Sequence, residues 1–424
     1  MEKEKVITVT VKLKKDFNTD YENKREELKQ LVIAMEAEVV SEVSCSRDFI
    51  DKALYIGKGK AEEIRLLSET LGVDTIVFNN ELSGSQMKNL EEIIDRKIVD
   101  RTNLILDIFA TRAKTKEAVL QVQLAQMEYM LPRLVGLRKN LSKASAGIGT
   151  RGLGEQKLEL DRRKISKEID RVKNKLKKVE KTRETNRKSR VKNKTKLVSL
   201  VGYTNAGKST IANELSNFYN DEKTQYFAKK DMLFMTLDTT IRKGLLPQGS
   251  EFLIADTVGF IEDISTNLIE SFKSTLEEIK YSDCILHVID SSSNNMSEQI
   301  DTTYKMLKEL DVLDKPIINI YNKMDIKKDL IYKSDNIKGR NLYISSYKKE
   351  DIFKLLKEIE SALKLDYEEM ILEIPYDKQG VLAELRNKDI SFEIEYDELM
   401  KVKMKVLKTE INHVEKYLRE KYEL

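Results

Sequence analysis

The chain has no tryptophan, two cysteines, two histidines and four prolines in 424 residues. Cys45 and Cys284 stand far apart without metal-ligand spacing, and two histidines cannot assemble a zinc site. Both thiols read as reduced, partly buried side chains of a cytoplasmic protein. No apolar run approaches the roughly 20 residues that cross a bilayer. Met1 to Lys15 alternates charge with short apolar stretches and builds no signal-peptide core. Secreted, membrane-inserted and zinc-dependent classes are thereby set aside. What is abundant is charge: 35% of residues, against about 25% in an average globular chain. Lys+Arg 75 against Asp+Glu 72 leaves a formal +3 that hides a local imbalance. The length suggests two to four domains, and 40% apolar residues suffice for their cores.

Up to about residue 110, short apolar strands alternate with helical patterns. Val6-Ile7-Thr8-Val9, Val39-Val40 and Thr75-Ile76-Val77-Phe78 read as strands, while Leu28, Leu31, Val32 and Met35, then Ile64, Leu67 and Leu71, recur at helical spacing. That alternation implies βαβ units around a parallel sheet. From about Thr115 the period is purely helical. Ala118, Val122, Ala125 and Tyr129 form one stripe, and Leu120, Leu124, Met127 and Leu131 a second. Further on, Ile165, Ile169, Val172, Leu176 and Val179 are spaced four, three, four, three, a heptad seam. An antiparallel helical hairpin is expected, with a single free charged helix as the competing form.

Between the two helical patterns, Tyr129 to Gly154 contains no acidic residue but includes Arg133, Arg138, Lys139, Lys143 and Arg151. Gly147, Gly149, Gly152 and Gly154 crowd the same stretch. Basic side chains beside exposed backbone donors suit a nucleic-acid phosphate surface; a glycine hinge with solvated charges is the plainer alternative. From Asp161 to Lys196 there are 17 Lys or Arg and 5 Asp or Glu, a net +12, so the rest of the chain carries −9. This reads as a basic, polyanion-facing helix followed by a linker over Lys181 to Lys196.

Chemistry is concentrated further on. Lys196 to Val201 is an apolar strand, Gly202-Tyr203-Thr204-Asn205-Ala206-Gly207-Lys208-Ser209 follows it, and Thr210 to Leu215 reads as helix. This is G-x-x-x-x-G-K-S in its strand–loop–helix context, where backbone N–H groups surround phosphates, Lys208 reaches between the β- and γ-phosphates and Ser209 ligates Mg²⁺. A second strand, Phe252 to Ala255, ends in Asp256-Thr257-Val258-Gly259; the aspartate can hold Mg²⁺ through water and the Gly259 N–H can sense the γ-phosphate. A third, Ile317 to Ile320, ends in Asn322-Lys323-Met324-Asp325, whose carboxylate reads guanine N1–H and the exocyclic amine while the Lys323 stem covers the base. Ser345-Ser346-Tyr347 fits the second base-contacting loop. Between them, Phe234-Met235-Thr236-Leu237-Asp238-Thr239-Thr240 offers three threonines for Mg²⁺, and spacing does not choose among them. Phe260 stands where many GTPases carry a glutamine that orients the attacking water, so slow intrinsic hydrolysis is expected.

The run Tyr55 to Glu63 (YIGKGKAEE), then Asp100-Arg101-Thr102, then Gly147 to Glu155 (GIGTRGLGE), together with the Gly202 to Ser209 loop and Asp256 to Phe260, resembles the HflX family of translational GTPases. The resemblance covers roughly residues 25 to 365. It implies an α/β fold: an N-terminal α/β domain with a long helical hairpin, then a Ras-like P-loop G domain. It also implies binding to the large ribosomal subunit and its rRNA, and a part in splitting stalled or idle ribosomes. Within the family pattern the Phe234 to Asp238 thread contacts nucleotide and Thr236 reaches Mg²⁺, which makes Lys208, Thr236 and Gly259 the expected catalytic set. The family's proline within Asp238-Thr239-Thr240 is absent here, and its Ser-Ala is Ser345-Ser346.

The tail reads as a small α+β module: strands at Met370 to Ile374, Ser391 to Tyr396 and Lys401 to Leu407, helices at Gly380 to Arg386 and Ile411 to Leu418. The expected domains are therefore 1–114, 115–190, 196–365 and 366–424. A monomer is expected, because the heptad seam is used within the hairpin. Rival readings are a GTP-controlled ribosome-assembly or RNA-binding checkpoint that separates no subunits, and a membrane-surface GTPase, disfavoured because the basic arm lacks aromatic anchors.

Overall fold

A computed structural model describes residues 3–13, 18–137, 151–192, 195–219, 240–260, 276–326, 338–365, 367–387 and 392–407. These fall into two compact units, the first running to Ser189 and the second comprising the remainder.

The first unit is built on a four-stranded parallel sheet in the order β2-β1-β3-β4, from β1 (Lys5–Leu13), β2 (Glu38–Arg47), β3 (Thr75–Phe78) and β4 (Lys97–Asp100). The helices between them are α1 (Asn18–Ala34), α2 (Lys58–Leu71) and α3 (Gly84–Ile94), and α4 (Arg101–Arg112) follows β4. Ile7, Val9, Val11, Val43, Ile76 and Phe78 pack under Ala61, Ile64, Leu90 and Ile94 of α2 and α3. Because β1 and β3 are covered on both sides, they are buried nearly throughout, as parallel strands with helices on both faces must be. The α3–β4–α4 segment adds elements that no sequence pattern had delimited. Its start is fixed by a capping box, in which Gln86 N–H donates to Ser83 Oγ and the Gln86 side-chain oxygen accepts from Ser83 N–H.

The hairpin follows. Helix α5 (Lys116–Leu137) packs its Ala118, Val122, Ala125 and Tyr129 stripe inward, against a domain whose α3 and α4 it contacts. Its second stripe meets α6 (Arg151–Lys192): Leu120 and Leu124 pack with Ile169 and Val172, flanked by Met127, Leu131, Ile165, Leu176 and Val179. Lys173 Nζ closes the seam on Glu128 at 2.8 Å. Helix α6 continues to Lys192, so most of the stretch read as linker is helical; Lys and Arg are good helix formers even without an apolar face.

Arg133 requires a correction. It is not an exposed cation but 9% accessible. Its guanidinium donates to Glu81 Oε1 (2.8 Å), the Leu82 carbonyl (2.8 Å) and the Tyr129 carbonyl (2.9 Å), and lies 3.6 Å from the Tyr129 ring centroid. Asp100, fully buried, stands 3.6 Å away and accepts from the Leu82 and Asn103 N–H groups. Burial pushes the Asp100 carboxyl upward, opposed by those N–H groups and by Arg133. Arg101 pairs with Glu27 at 2.6 Å and donates to Asn79. The Asp100-Arg101-Thr102 run thus ties strand, helix and hairpin together. Of the other cations assigned to the tip, Arg138, Lys139 and Lys143 lie outside the described residues, and Arg151 is placed only as the first residue of α6.

The second unit holds a six-stranded sheet, β10-β9-β8-β5-β7-β6, all parallel except for edge strand β6 (Thr240–Leu245), which runs antiparallel to β7. Its strands β5 (Lys196–Gly202), β7 (Glu251–Asp256), β8 (Cys284–Asp290), β9 (Ile317–Asn322) and β10 (Arg340–Tyr343) alternate with α7 (Lys208–Asn217), α8 (Met296–Glu309) and α9 (Lys349–Leu363). Strand β5 lies at the centre, beside the point where strand order reverses, and ligands of open α/β sheets bind at the carboxyl ends there. The tail forms an antiparallel sheet, β11-β13-β12, from β11 (Tyr367–Ile374), β12 (Phe392–Tyr396) and β13 (Met400–Leu407), over α10 (Gly380–Asn387). The expected last helix, Ile411 to Leu418, lies outside the described residues.

Candidate guanine-nucleotide site

Strand β5 ends in Gly202, and the loop to α7 turns on three left-handed residues: Gly202 (φ +142°), Asn205 (φ +64°) and Gly207 (φ +97°). A side chain at 202 would strike the Val288 carbonyl, and one at 207 the Asn322 amide. Lys208 opens the helix, is 6% exposed, and donates to the carbonyls of Gly202 (3.0 Å) and Tyr203 (2.7 Å). Burial lowers its ammonium to about 8, with the Asp256 carboxylate acting in the opposite sense. Thr204 and Ala206 are buried, while Asn205 is exposed.

Asp256 ends β7 and is itself buried. Thr257 Oγ1 donates to the Leu200 carbonyl (2.6 Å). The next residues run beside the phosphate loop: Thr204 N–H donates to the Phe260 carbonyl (2.8 Å), and Phe260 N–H to the Gly202 carbonyl (3.0 Å). Val258 is buried there too, and a Cβ on Gly259 would come within 2.8 Å of both Lys208 Nζ and Thr204 Cα. Only glycine lets this backbone approach so closely. The Phe260 ring points away, into an apolar cluster with Val201, Leu276, Ile279 and Ile285. It has no polar atom to offer a water.

The base loops converge on the same place. Asn322, 1% exposed, donates through Nδ2 to the Ala206 carbonyl (3.0 Å) and accepts through Oδ1 from Ser346 N–H (3.1 Å). One side chain thus joins the phosphate loop to the second base loop. Ser345 Oγ donates to Asp325 Oδ1 (2.7 Å), and Ser345 N–H donates to Asp351 (3.0 Å) at the start of α9. The Met324 N–H is held by the Ile344 carbonyl, and Tyr347 is largely exposed beside Ser346. Lys323, at φ +63°, pairs its ammonium with Asp290 at 2.8 Å, and Asp290 in turn accepts from Ser292. Asp290 and Asp351 were missed in the sequence, although each stands at a tell-tale place: the end of an apolar strand and the first turn of a helix. The Phe234 to Asp238 thread, including Thr236, lies outside the described residues.

Behind the phosphate loop, on β8, is His287. It is fully buried, with Nδ1 3.1 Å from Asn319 Oδ1 and the ring edge-on to Tyr304. Burial pushes it down to about 4, and the Lys208 charge pushes the same way against the Asn319 hydrogen bond.

Ser209 and Asp256 offer a hydroxyl and a carboxylate, an all-oxygen donor set suited to a hard cation shared with phosphate oxygens. Among the described residues no cluster of three or more His, Cys, Asp or Glu forms an all-protein metal cage, and no helix is long and apolar enough to cross a membrane.

A parallel sheet with a glycine loop at its central strand and a guanine-reading loop two strands away defines the class: a P-loop GTPase. Residues 22–110 match the family model described as GTP-binding GTPase N-terminal, 112–190 that of the GTP-binding GTPase Middle Region, and 197–323 that of the 50S ribosome-binding GTPase. The chain is 46% identical over 372 residues to the GTPase HflX of Caldanaerobacter subterraneus subsp. tengcongensis, spanning 88% of this chain and 84% of that one. It is 36% identical over 353 residues to the GTPase HflX of Escherichia coli K12, spanning 82% and 81%. The chain belongs to the HflX family of GTPases. Among solved structures, a GTP-binding protein of Sulfolobus solfataricus in complex with GDP is similar over 84% of this chain and 99% of its own, at 21% identity and a TM-score of 0.47.

Proposed function

We propose that this protein binds and hydrolyses GTP and uses the terminal phosphate to control its hold on the large ribosomal subunit, separating stalled or idle ribosomes. The observation that carries the nucleotide part is Asn322, which joins the phosphate and base loops into one site. The ribosomal part is supported by the family model described as a 50S ribosome-binding GTPase.

In this reading Gly202 to Ser209 cradle the phosphates, Lys208 exchanges its two carbonyl partners for β- and γ-phosphate oxygens, and Asp325 with Ser345, Ser346 and Tyr347 frames the guanine. Ser209 and Thr236, with Asp256 through water, would hold Mg²⁺. Bound there, Mg²⁺ would neutralise charge on the β- and γ-phosphate oxygens. The Gly259 N–H senses the γ-phosphate. With Phe260 turned into the core, no side chain at that position orients the attacking water, so hydrolysis is slow until a partner completes the site. A near-complete switch needs the GTP form to bind the subunit roughly 10⁴-fold more tightly than the GDP form. The domain limits 1–114, 115–190, 196–365 and 366–424, a monomeric state and a cytoplasmic location belong to the same reading.

Co-sedimentation of large subunits with the protein in GTP, GDP and a non-hydrolysable analogue tests the switch; equal pelleting in all three sinks it. Sucrose-gradient profiles of intact ribosomes test separation. Intact profiles beside normal GTP-dependent binding would favour the assembly-checkpoint reading instead.

A further inference from the structure

The apolar seam of α6 is covered by α5, but its opposite face is open to solvent. Along that face Arg163, Lys167, Arg171, Asn174, Lys178 and Lys181 follow at intervals of four, four, three, four and three, and every one is exposed. This repeats the spacing of the seam half a turn around the helix, so five cations stand in one row over roughly 27 Å, about 5–6 Å apart except where Asn174 leaves about 10 Å between Arg171 and Lys178. Arg163 and Arg171 lean on Glu159 (2.6 Å) and Glu168 (3.0 Å). Such exposed pairs contribute only a few tenths of a kcal/mol and are readily exchanged for a stronger anion. Lys167, Lys178 and Lys181 form no ion pair among the described residues.

A net +12 between Asp161 and Lys196 repels itself, and exposed Arg162, Lys164, Lys175 and Lys177 flank the row, so a free helix gains nothing from this crowding of like charge. A regular array of anions does gain from it. From residue 130 to 202 the chain contains no Phe, Tyr or Trp. The row therefore has no ring on which an unpaired base could stack, the device on which single-strand binders rely. It also has no apolar or aromatic anchor for a lipid surface. We infer that the outward face of α6 docks along the phosphate backbone of double-stranded RNA without reading its sequence. This rests on the ribosomal reading above and adds the class of RNA and the face that meets it.

The test uses the full-length protein saturated with a non-hydrolysable GTP analogue, a labelled RNA stem and an unstructured single strand of equal length. Wild type should prefer the stem. In the variant K167Q/K178Q/K181Q, the slope of log K against log salt should shrink by ~2.7, at ~0.9 per lost phosphate contact, with a loss on the order of 10²-fold at 0.15 M salt. GDP affinity and helical circular dichroism should not change, since Gln forms helix about as well as Lys. The charge-retaining variant K167R/K178R/K181R should bind like wild type. An unchanged slope, weak binding by the arginine variant, tighter binding to the single strand, or stronger binding to phosphatidylserine vesicles than to the stem would overturn the inference. Large-subunit pelleting separates the two layers. If wild type and the Gln variant pellet alike, this face is not the contact while the ribosomal reading stands. If wild type does not pellet, the ribosomal reading fails and the stem measurement alone decides the inference.

Discussion

Replacing Asn322 with alanine removes one side chain and two hydrogen bonds, to the Ala206 carbonyl and from Ser346 N–H. The side chain is 1% exposed, so little water reaches the partners to replace it. Each buried group left unpaired costs about 1–3 kcal/mol. The two losses share one residue and do not simply add, so a total of about 2–4 kcal/mol is expected. Part lowers the stability of the second unit. The part that matters for function is the loss of alignment between phosphate and base loops, since a ligand touching both must then order them itself. Assigning about 2 kcal/mol to that alignment gives a roughly 30-fold weaker Kd for GDP. Fluorescent-GDP displacement measures it, and thermal unfolding with and without GDP separates the two parts: Tm should fall without nucleotide, and the GDP-induced rise should shrink. Gly207→Ala should act in the same direction, because its Cβ strikes the Asn322 amide at a φ of +97°. A Kd within twofold of wild type alongside a lowered Tm would refute the reasoning, showing that the two loops are held independently.

Lys208 titrates near 8 in the free protein and must be charged to meet phosphates, so binding takes up a proton above that pH. GDP affinity should be about tenfold weaker at pH 9 than at pH 7, by titration calorimetry in two buffers of different ionisation heat. His287 is depressed from 6.5 to about 4, so the unfolded chain binds the extra proton between those values. Its contribution is complete above pH 6.5 and is lost as pH falls through about 4, about 3 kcal/mol in all; His287→Gln should flatten that limb of the denaturation-against-pH curve. Asp290→Asn should release Lys323 from its partner and speed GDP dissociation several-fold in stopped flow, leaving the preference for GDP over IDP unchanged because Asp325 is untouched. Arg133→Met strands the buried Asp100 and the Leu82 carbonyl, and should cost the first unit about 3–5 kcal/mol in urea unfolding with GDP affinity unaltered.

The G domain was legible because its chemistry is local. Each loop begins at a strand end and runs over four to eight consecutive residues, so motif and context are read together. The hairpin seam was legible because a four–three period survives any tertiary environment. The contacts that assemble the site were not. Asp290 reaches Lys323 from 33 residues away, and Asn322 reaches Ala206 across 116. Neither pairing leaves a trace in spacing. The helical extent of α6 is hard to read for a different reason: without apolar residues there is no period to mark the helix, although propensity without burial can extend a helix already anchored by its seam.

Arg133 shows how charge counting misleads and what corrects it. Counted among its neighbours, it belongs to an acid-free, cationic stretch. Read by period, it continues the stripe Ala118, Val122, Ala125, Tyr129 by one further turn, and that stripe faces the domain. A cation at an inward position must find buried partners or not be tolerated there, and Glu81, Leu82 and Asp100 supply them from 33 to 52 residues upstream. The same test, applied to α6, sends Lys167, Lys178 and Lys181 the other way, half a turn from Ile169, Val172 and Leu176. Position relative to the nearest apolar stripe, and not local charge density, therefore decides which cations of this chain hold the fold together and which remain free to meet a polyanion.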